Sequence, residues 1–380
     1  MTISFDDNGR HLALAPLTLT RPVCELRIGI LTIKDSWLQY LDHQGAVGFI
    51  TEDYLSEKYE NLEADLVISG NIKPSSKLVE EVKNLPSDST LMVNGEKIAV
   101  KGNGQNIQNF QFSDEDIIVV NHPWDLFQNN GRAIRWDFDI VTANKNRQHL
   151  SATNRTIGKH EIFVEEGAIV ECAILNATDG PIYIGKDAEI MEGSMIRAPF
   201  ALCDNATVKM GAKIYGDTTI GEHCKVGGEV TNSIFYAYSN KGHDGFVGNS
   251  LIGEWCNMGA DTNTSNLKNN YSDVRVHSYE ENKMSETGIM FCGVIMGDHS
   301  KTGINTMLNT ATSVGVCANI FGGGFPPKKV NSFSWGGFED SPVFRIEKAY
   351  EVAQNMMKRR KLELTETDKK ILHHLFSQLA

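Results

Sequence analysis

No stretch of this chain stays apolar for anything near the ~20 residues a helix needs to cross a bilayer, which excludes a membrane-spanning segment as an expectation. The opening Met1-Thr-Ile-Ser-Phe-Asp-Asp lacks the basic and apolar regions of a secretory signal. No basic run offsets the net charge of −12, so nucleic acid is excluded as the main partner. An anionic small substrate would need a local cluster of Arg, Lys or backbone N–H groups. Seven cysteines (24, 172, 203, 224, 256, 292 and 317) are scattered, with no Cys-x-x-Cys pair. That pattern reads as small buried residues in a reduced compartment, with a catalytic thiol or metal site as the other reading. The expected location is cytoplasmic. With 380 residues, 41% of them hydrophobic, the chain has room for two domains.

What the chain does have is a period of six. Ile184, Ile190, Ile196, Leu202, Val208, Ile214, Ile220 and Val226 follow one another at that spacing. Six fits neither an amphipathic helix nor an ordinary strand. It is the mark of a hexapeptide parallel β-helix, with the aliphatic residue pointing inward and small residues at the corners. Val164 and Val170 fit the period upstream; Ile252 and Met258, then Met296, Thr302, Leu308, Val314 and Ile320, fit it downstream. Thr302 is the weak member, because a hydroxyl inside the coil needs a partner. The coil is expected over residues 157–324, with residues 232–248 and 263–287 out of period and therefore looped out. Loops on repeat scaffolds often carry function.

Residues 1–145 differ in texture. Short apolar runs at 46–50, 66–69 and 117–120 alternate with helical stretches such as 75–83, which predicts an α/β domain. The polar stretch 144–155 serves as the junction. Residues 340–380 form a helical extension, with helices over 344–357 and 365–379. Thr365-x-x-Asp368 reads as a capping box, and Ile371, Leu372, Leu375, Phe376 and Leu379 make one apolar stripe.

An α/β nucleotidyltransferase-like domain followed by a left-handed β-helix resembles the bifunctional UDP-N-acetylglucosamine pyrophosphorylase / glucosamine-1-phosphate N-acetyltransferase family. The segment 240–266, with Gly242-His-Asp-Gly-Phe246, Asn257-Met-Gly-Ala260 and Thr262-Asn-Thr-Ser-Asn266, is similar to the acetyltransferase motif of that family. Pro16-Leu-Thr-Leu-Thr-Arg-Pro22, Glu25-Leu-Arg27 and Phe333-Ser-Trp-Gly336 resemble more closely still a shorter, Bacteroidetes-type group of probable sugar nucleotidyltransferases.

The resemblance implies acetyl-CoA as co-substrate, Mg²⁺, a sugar phosphate, a nucleoside triphosphate and a homotrimer. It implies His243 as general base and Glu229, Phe246, Asn257 and Asn266 as substrate-binding positions, while Lys241, Lys268 and Arg275 are the cations here that could supply the charge for a sugar phosphate. Acetyl transfer to an amine needs such a base and donors for the oxyanion. In the first domain it implies Arg10, Thr18, Arg21 and Gly70 at the nucleotide and Asn71 at the metal; Asp125 is read either as a carboxylate that compensates for Asn71 or as a helix cap. Departures stand out. Phe246 lacks the family's hydroxyl, the basic pair expected before His243 is missing, Arg21 stands where the family has lysine, and Asn71 stands where it has aspartate. Three readings stay open: both activities, acyl transfer alone with a degenerate first domain, or a non-catalytic trimeric scaffold. A histidine-rich zinc site is disfavoured, because no His-x-x-x-x-His pair occurs.

Overall fold

The structure, a computed structural model, describes residues 2–379. The first domain is built on a six-stranded sheet of order β2-β1-β3-β6-β5-β7. Its strands are β1 (Ile3–Asp6), β2 (Val47–Ile50), β3 (Leu66–Ser69), β5 (Ser89–Val93), β6 (Glu96–Lys101) and β7 (Asn106–Phe110). A separate ribbon pairs β4 (Ile72–Lys73) with β8 (Ile118–Val119). Helices α1 (Ile33–Leu41), α2 (Ser76–Lys83) and α3 (Pro123–Thr142) complete the domain. Local chemistry sets their starts: Thr32 and Ser75 accept the N–H of residues three further on, and α3 begins on a proline, which has no N–H to satisfy. Below α3, the buried Lys73 ammonium meets Asp137 at 2.8 Å and the Ile28 carbonyl at 2.8 Å. Asp137 also accepts the N–H of Ile30 and Leu31, so this ion pair fixes the turn that carries Arg27.

The second unit is a parallel β-helix. One face stacks six strands from Arg155–Gly158 to Phe246–Gly248, and the next stacks nine from Ile162–Val164 to Lys329–Val330. The third runs from Ile169–Val170 to Asn240–Lys241 and is carried on by Asn257 to Lys301–Thr302 and Asn319–Ile320. All eight residues of the main hexad run are buried inside it, each such burial contributing about 1.5–3 kcal/mol. Thr302 finds its partner in Thr262, hydroxyl to hydroxyl at 2.8 Å.

Residues 232–248 do not loop out. The inward positions there are Val230, Phe235, Lys241, Val247 and Ile252, so the spacing shortens to five twice while the chain stays in the coil. The excursion is confined to the segment carrying the antiparallel hairpin Arg275–Ser278 with Lys283–Glu286. At one corner His223, Tyr238, Trp255 and His299 each take positive φ in successive turns, and their rings stack at 4.9, 4.1 and 6.3 Å.

The two units are locked together. Phe138 and Val141 of α3 pack on Phe163, Tyr183, Ala201 and Cys203 of the nine-stranded face. Helices α4 (Ile346–Lys358) and α5 (Glu366–Ser377) fold back onto Trp255, Val316, Cys317 and Phe333. Thr365 and Asp368 form the capping box expected at the start of α5. No disulfide forms among the described residues, and all the cysteines except Cys172 are buried. Burial pushes the Cys256, Cys292 and Cys317 thiols up to about 12, which makes them inert packing residues. Among the described residues no helix is long and apolar enough to cross a membrane.

Candidate active site

His243 sits on a corner of the coil, between the strands Asn240–Lys241 and Phe246–Gly248. The corner is held from inside. Lys241 occupies an inward position in register with Val226, and its ammonium donates to the carbonyls of His243 at 2.6 Å and Asp244 at 2.7 Å. Gly245 closes the turn at φ +111°, a region other residues rarely adopt. A Cβ there would lie 2.3 Å from the Thr262 carbonyl oxygen of the next coil. The imidazole itself is exposed.

It borders a cleft of about 750 Å³ together with Asn257, Gly259 and Ala260. The cleft is apolar along Tyr238, Trp255, Ile304 and Met356, and cationic at Lys209, Lys225, Lys301, Arg359 and Arg360; among the described residues no carboxylate lines it. Lys301 is already engaged with the His299 carbonyl at 2.7 Å, and burial pushes its amine down. Such a lining favours a partly apolar ligand bearing phosphate or another anion.

The other motif residues fall around the corner. On the six-stranded face Glu229 stands in register with Lys213 on one side and Phe246 on the other. Phe246 and Asn266 flank Gly248, where a Cβ would come within 2.6 and 2.7 Å of them. Asn266 donates to the Asn249 side chain at 2.7 Å. His243 and Asn257 thus share the cleft, while Glu229, Phe246 and Asn266 share the adjoining face. Lys268 lies on the excursion with its ammonium on the Asp273 carbonyl, and Lys241 is buried inside the coil. The sequence reading missed Lys213, although the repeat puts it at an outward position beside Glu229. It also missed Lys209, Lys225 and the α4 arginines.

The first-domain motif is engaged elsewhere. Arg21 forms a buried double ion pair with Asp298 and with Glu254, the latter at 3.1 Å, and Thr20 donates to Asp298 at 2.6 Å. Arg27 bonds Glu222 at 2.5 Å. These acids precede His223, Trp255 and His299 along one corner of the coil, so the Thr20-Arg21…Arg27 motif is the bolt between the units. Thr18 donates to the His11 carbonyl at 2.5 Å. The Arg10 Nε is buried without a partner. Gly70 lies under Cys24, with a Cβ reaching its backbone nitrogen at 3.2 Å.

The donors expected for Mg²⁺ do not fit that ion. Asn71 is fully buried and donates to Asn121 at 3.1 Å, while its Oδ1 has no partner. Asp125 accepts the N–H of Asn121 and His122, both at 2.8 Å, and so caps α3. Among the described residues no group of three or more His, Cys, Asp or Glu could hold a metal.

Residues 2–146 match a family model described as sugar nucleotidyl transferase. The chain is 28% identical over 268 residues to the bifunctional protein GlmU of Methanococcus aeolicus, covering 69% of this chain and 57% of that protein. It is 30% identical over 146 residues to a bifunctional sugar-1-phosphate nucleotidylyltransferase/acetyltransferase of Sulfurisphaera tokodaii, 38% of this chain and 36% of the relative. It is 27% identical over 154 residues to the GlmU protein of Trichodesmium erythraeum, 40% of this chain and 28% of the relative. The chain therefore spans between 28% and 57% of the length of these curated relatives. Among solved structures, the polySia-specific acetyltransferase NeuO aligns over 55% of this chain and all of its own, at 13% identity and a TM-score of 0.32. The sequence matches support a relation to the GlmU-like bifunctional nucleotidyltransferase/acetyltransferase family.

Proposed function

We propose that the protein is an acetyl-CoA-dependent acyltransferase acting on an amino-sugar phosphate at the His243 cleft. The observation that carries this reading is an exposed histidine, on a corner fixed by Lys241, opening on a cationic cleft that no carboxylate among the described residues lines. His243 takes a proton from the substrate ammonium, and the freed amine attacks the thioester carbonyl. That first proton passes from the imidazole to solvent; as the C–N bond forms, His243 takes a second proton from the attacking nitrogen, and as the C–S bond breaks it delivers this proton to the departing thiolate. The apolar lane along Trp255, Ile304 and Met356 suits a pantetheine arm, and Glu229, Phe246 and Asn266 suit a sugar lying around the corner. Exposed Met195, Met210, Ile304 and Met307 on and beside that corner suit a homotrimer in which a second copy closes the site.

Mass spectrometry of the protein with glucosamine 1-phosphate and acetyl-CoA tests the reading. A gain of one acetyl group, slowed on the order of 10²–10⁴-fold in His243→Ala, is expected. Equal product from the variant, or none from any amino-sugar phosphate offered to the wild type, sinks it.

A second reading is favoured by the family match over residues 2–146: nucleotidyl transfer in the first domain, as in the shorter Bacteroidetes-type group that the N-terminal motif resembles. Arg21, Asn71 and Asp125 are engaged in packing and capping, so the nucleotide would be held by other groups of this domain. Pyrophosphate release from UTP, Mg²⁺ and a sugar 1-phosphate decides between this reading and a first domain kept for docking alone.

A further inference from the structure

We infer that the C-terminal end of helix α4 completes the cleft with a phosphate-binding subsite, in which Arg359 and Arg360 act together with Lys209 and Lys225 on a phosphate ester of the substrate or co-substrate. The inference rests on the acyl-transfer reading for the identity of the ligand, but its geometry stands apart from His243. Ala349, Ala353 and Met357 are buried where α4 packs on the coil, and this places Met356, Arg359 and Arg360 in the wall of the cleft. Arg360 donates to the His223 carbonyl at 3.0 Å, which pins the end of the helix to the corner ladder.

Cations without counter-charges gather at the end of α4, where Lys358 and Lys361 also form no ion pair among the described residues, and Arg359 and Arg360 are the ones that line the cleft. On the same two helices Arg345, Lys348, Lys369 and Lys370 each reach a carboxylate. Among the described residues Arg359, Arg360, Lys209 and Lys225 form no ion pair. Cations brought together without counter-charges repel one another, and a bound polyanion relieves that repulsion. A guanidinium presents a planar fork that matches phosphate oxygens, so a helix end carrying two arginines recognises a phosphate ester better than a carboxylate-poor surface of lysines would. The basic pair that the sequence lacks just before His243 is thereby supplied from the other end of the chain.

The test is equilibrium binding by calorimetry of inorganic pyrophosphate, coenzyme A and glucosamine 1-phosphate to the full chain. The proteins compared are the wild type, Arg359→Glu and Arg360→Ala. Arg359 is exposed and its side chain makes no hydrogen bond or ion pair among the described residues, so Arg359→Glu keeps the fold even where Arg360→Ala loosens α4. The dissociation constant for pyrophosphate should rise about tenfold or more in Arg359→Glu, the loss of one charge-assisted contact. A parallel rise for coenzyme A assigns the subsite to the coenzyme phosphates, and one for glucosamine 1-phosphate assigns it to the sugar phosphate. Binding of phosphate-free acetyl-pantetheine should stay unchanged. Constants unchanged by Arg359→Glu, or no pyrophosphate binding to the wild type, overturn the subsite. A protein that binds pyrophosphate through Arg359 yet transfers no acetyl group keeps the subsite and loses the acyl-transfer reading; one that transfers acetyl and ignores Arg359→Glu does the reverse.

Discussion

The ammonium of Lys241 lies 2.6 Å from the carbonyl oxygen of His243, so a charge inside the coil holds the turn that presents the exposed imidazole. Burial pushes that amine down to about 8, the cost of keeping it between Val226 of the preceding coil and Met258 of the next. Lys241→Met fits the same inward position without the charge. Replacing a buried charge with an apolar side chain of similar length is expected to leave stability within about 1–2 kcal/mol, or to raise it. The two carbonyls lose their donor, however, and turnover should fall roughly tenfold as the corner loosens. Thermal unfolding and kcat measured together check this; a loss of stability with unchanged turnover would contradict it.

Gly245 offers a harsher probe of the same corner. Gly245→Ala combines a φ of +111° with a Cβ 2.3 Å from a backbone oxygen of the next coil, and backbone cannot step aside. We expect a loss of about 2–4 kcal/mol in urea unfolding, together with loss of acyl transfer. A variant as stable as the wild type would show that the turn is slack.

Arg21 tests the bolt between the units. Arg21→Ala leaves Asp298 buried and Glu254 partly buried, each without its cation, which should cost about 3–5 kcal/mol. Arg21→Lys cannot reach both acids with one fork and should fall between. If Arg21 served a nucleotide instead, Arg21→Ala would leave the denaturation midpoint in place and abolish nucleotide binding.

His299 sets a pH dependence. Burial, with Lys301 adding to it, pushes its imidazole from an ordinary 6.5 down to about 3. Its Nδ1 has no partner, and the ring stacks on Trp255. As pH falls through 6.5 the unfolded chain takes up a proton that the native chain refuses until about 3, so stability drops across that window. His299→Phe keeps an aromatic ring in the ladder and removes this share of the slope. Unfolding midpoints at pH 7.5 and 5 should therefore lie closer together in the variant than in the wild type, and equal spacing would falsify the assignment.

The sequence by itself determined the coil, because stacked coils bury a column of inward side chains, and that column is apolar at all eight positions of the main run. That constraint writes Ile184 through Val226 into a visible period, and His243 into a motif at a corner. It determined the caps of α2 and α5 as well, since a cap is settled by residues three apart. Where the spacing shortened to five at Phe235 and Ile252, the same reading mistook a coil for a loop, because a hexad count does not register a corner closed one residue early. The tertiary structure alone decided the roles of the ionic residues. Arg21 looks like a phosphate ligand from its neighbours Thr20 and Pro22, yet it faces Glu254 and Asp298, which are distant in the chain. Lys241 looks like a surface cation and points inward, and Arg359 and Arg360 reach the cleft only because α4 packs back on Trp255. Apolar burial follows a short local period, whereas a charge finds its partner wherever folding brings one, at any distance along the chain.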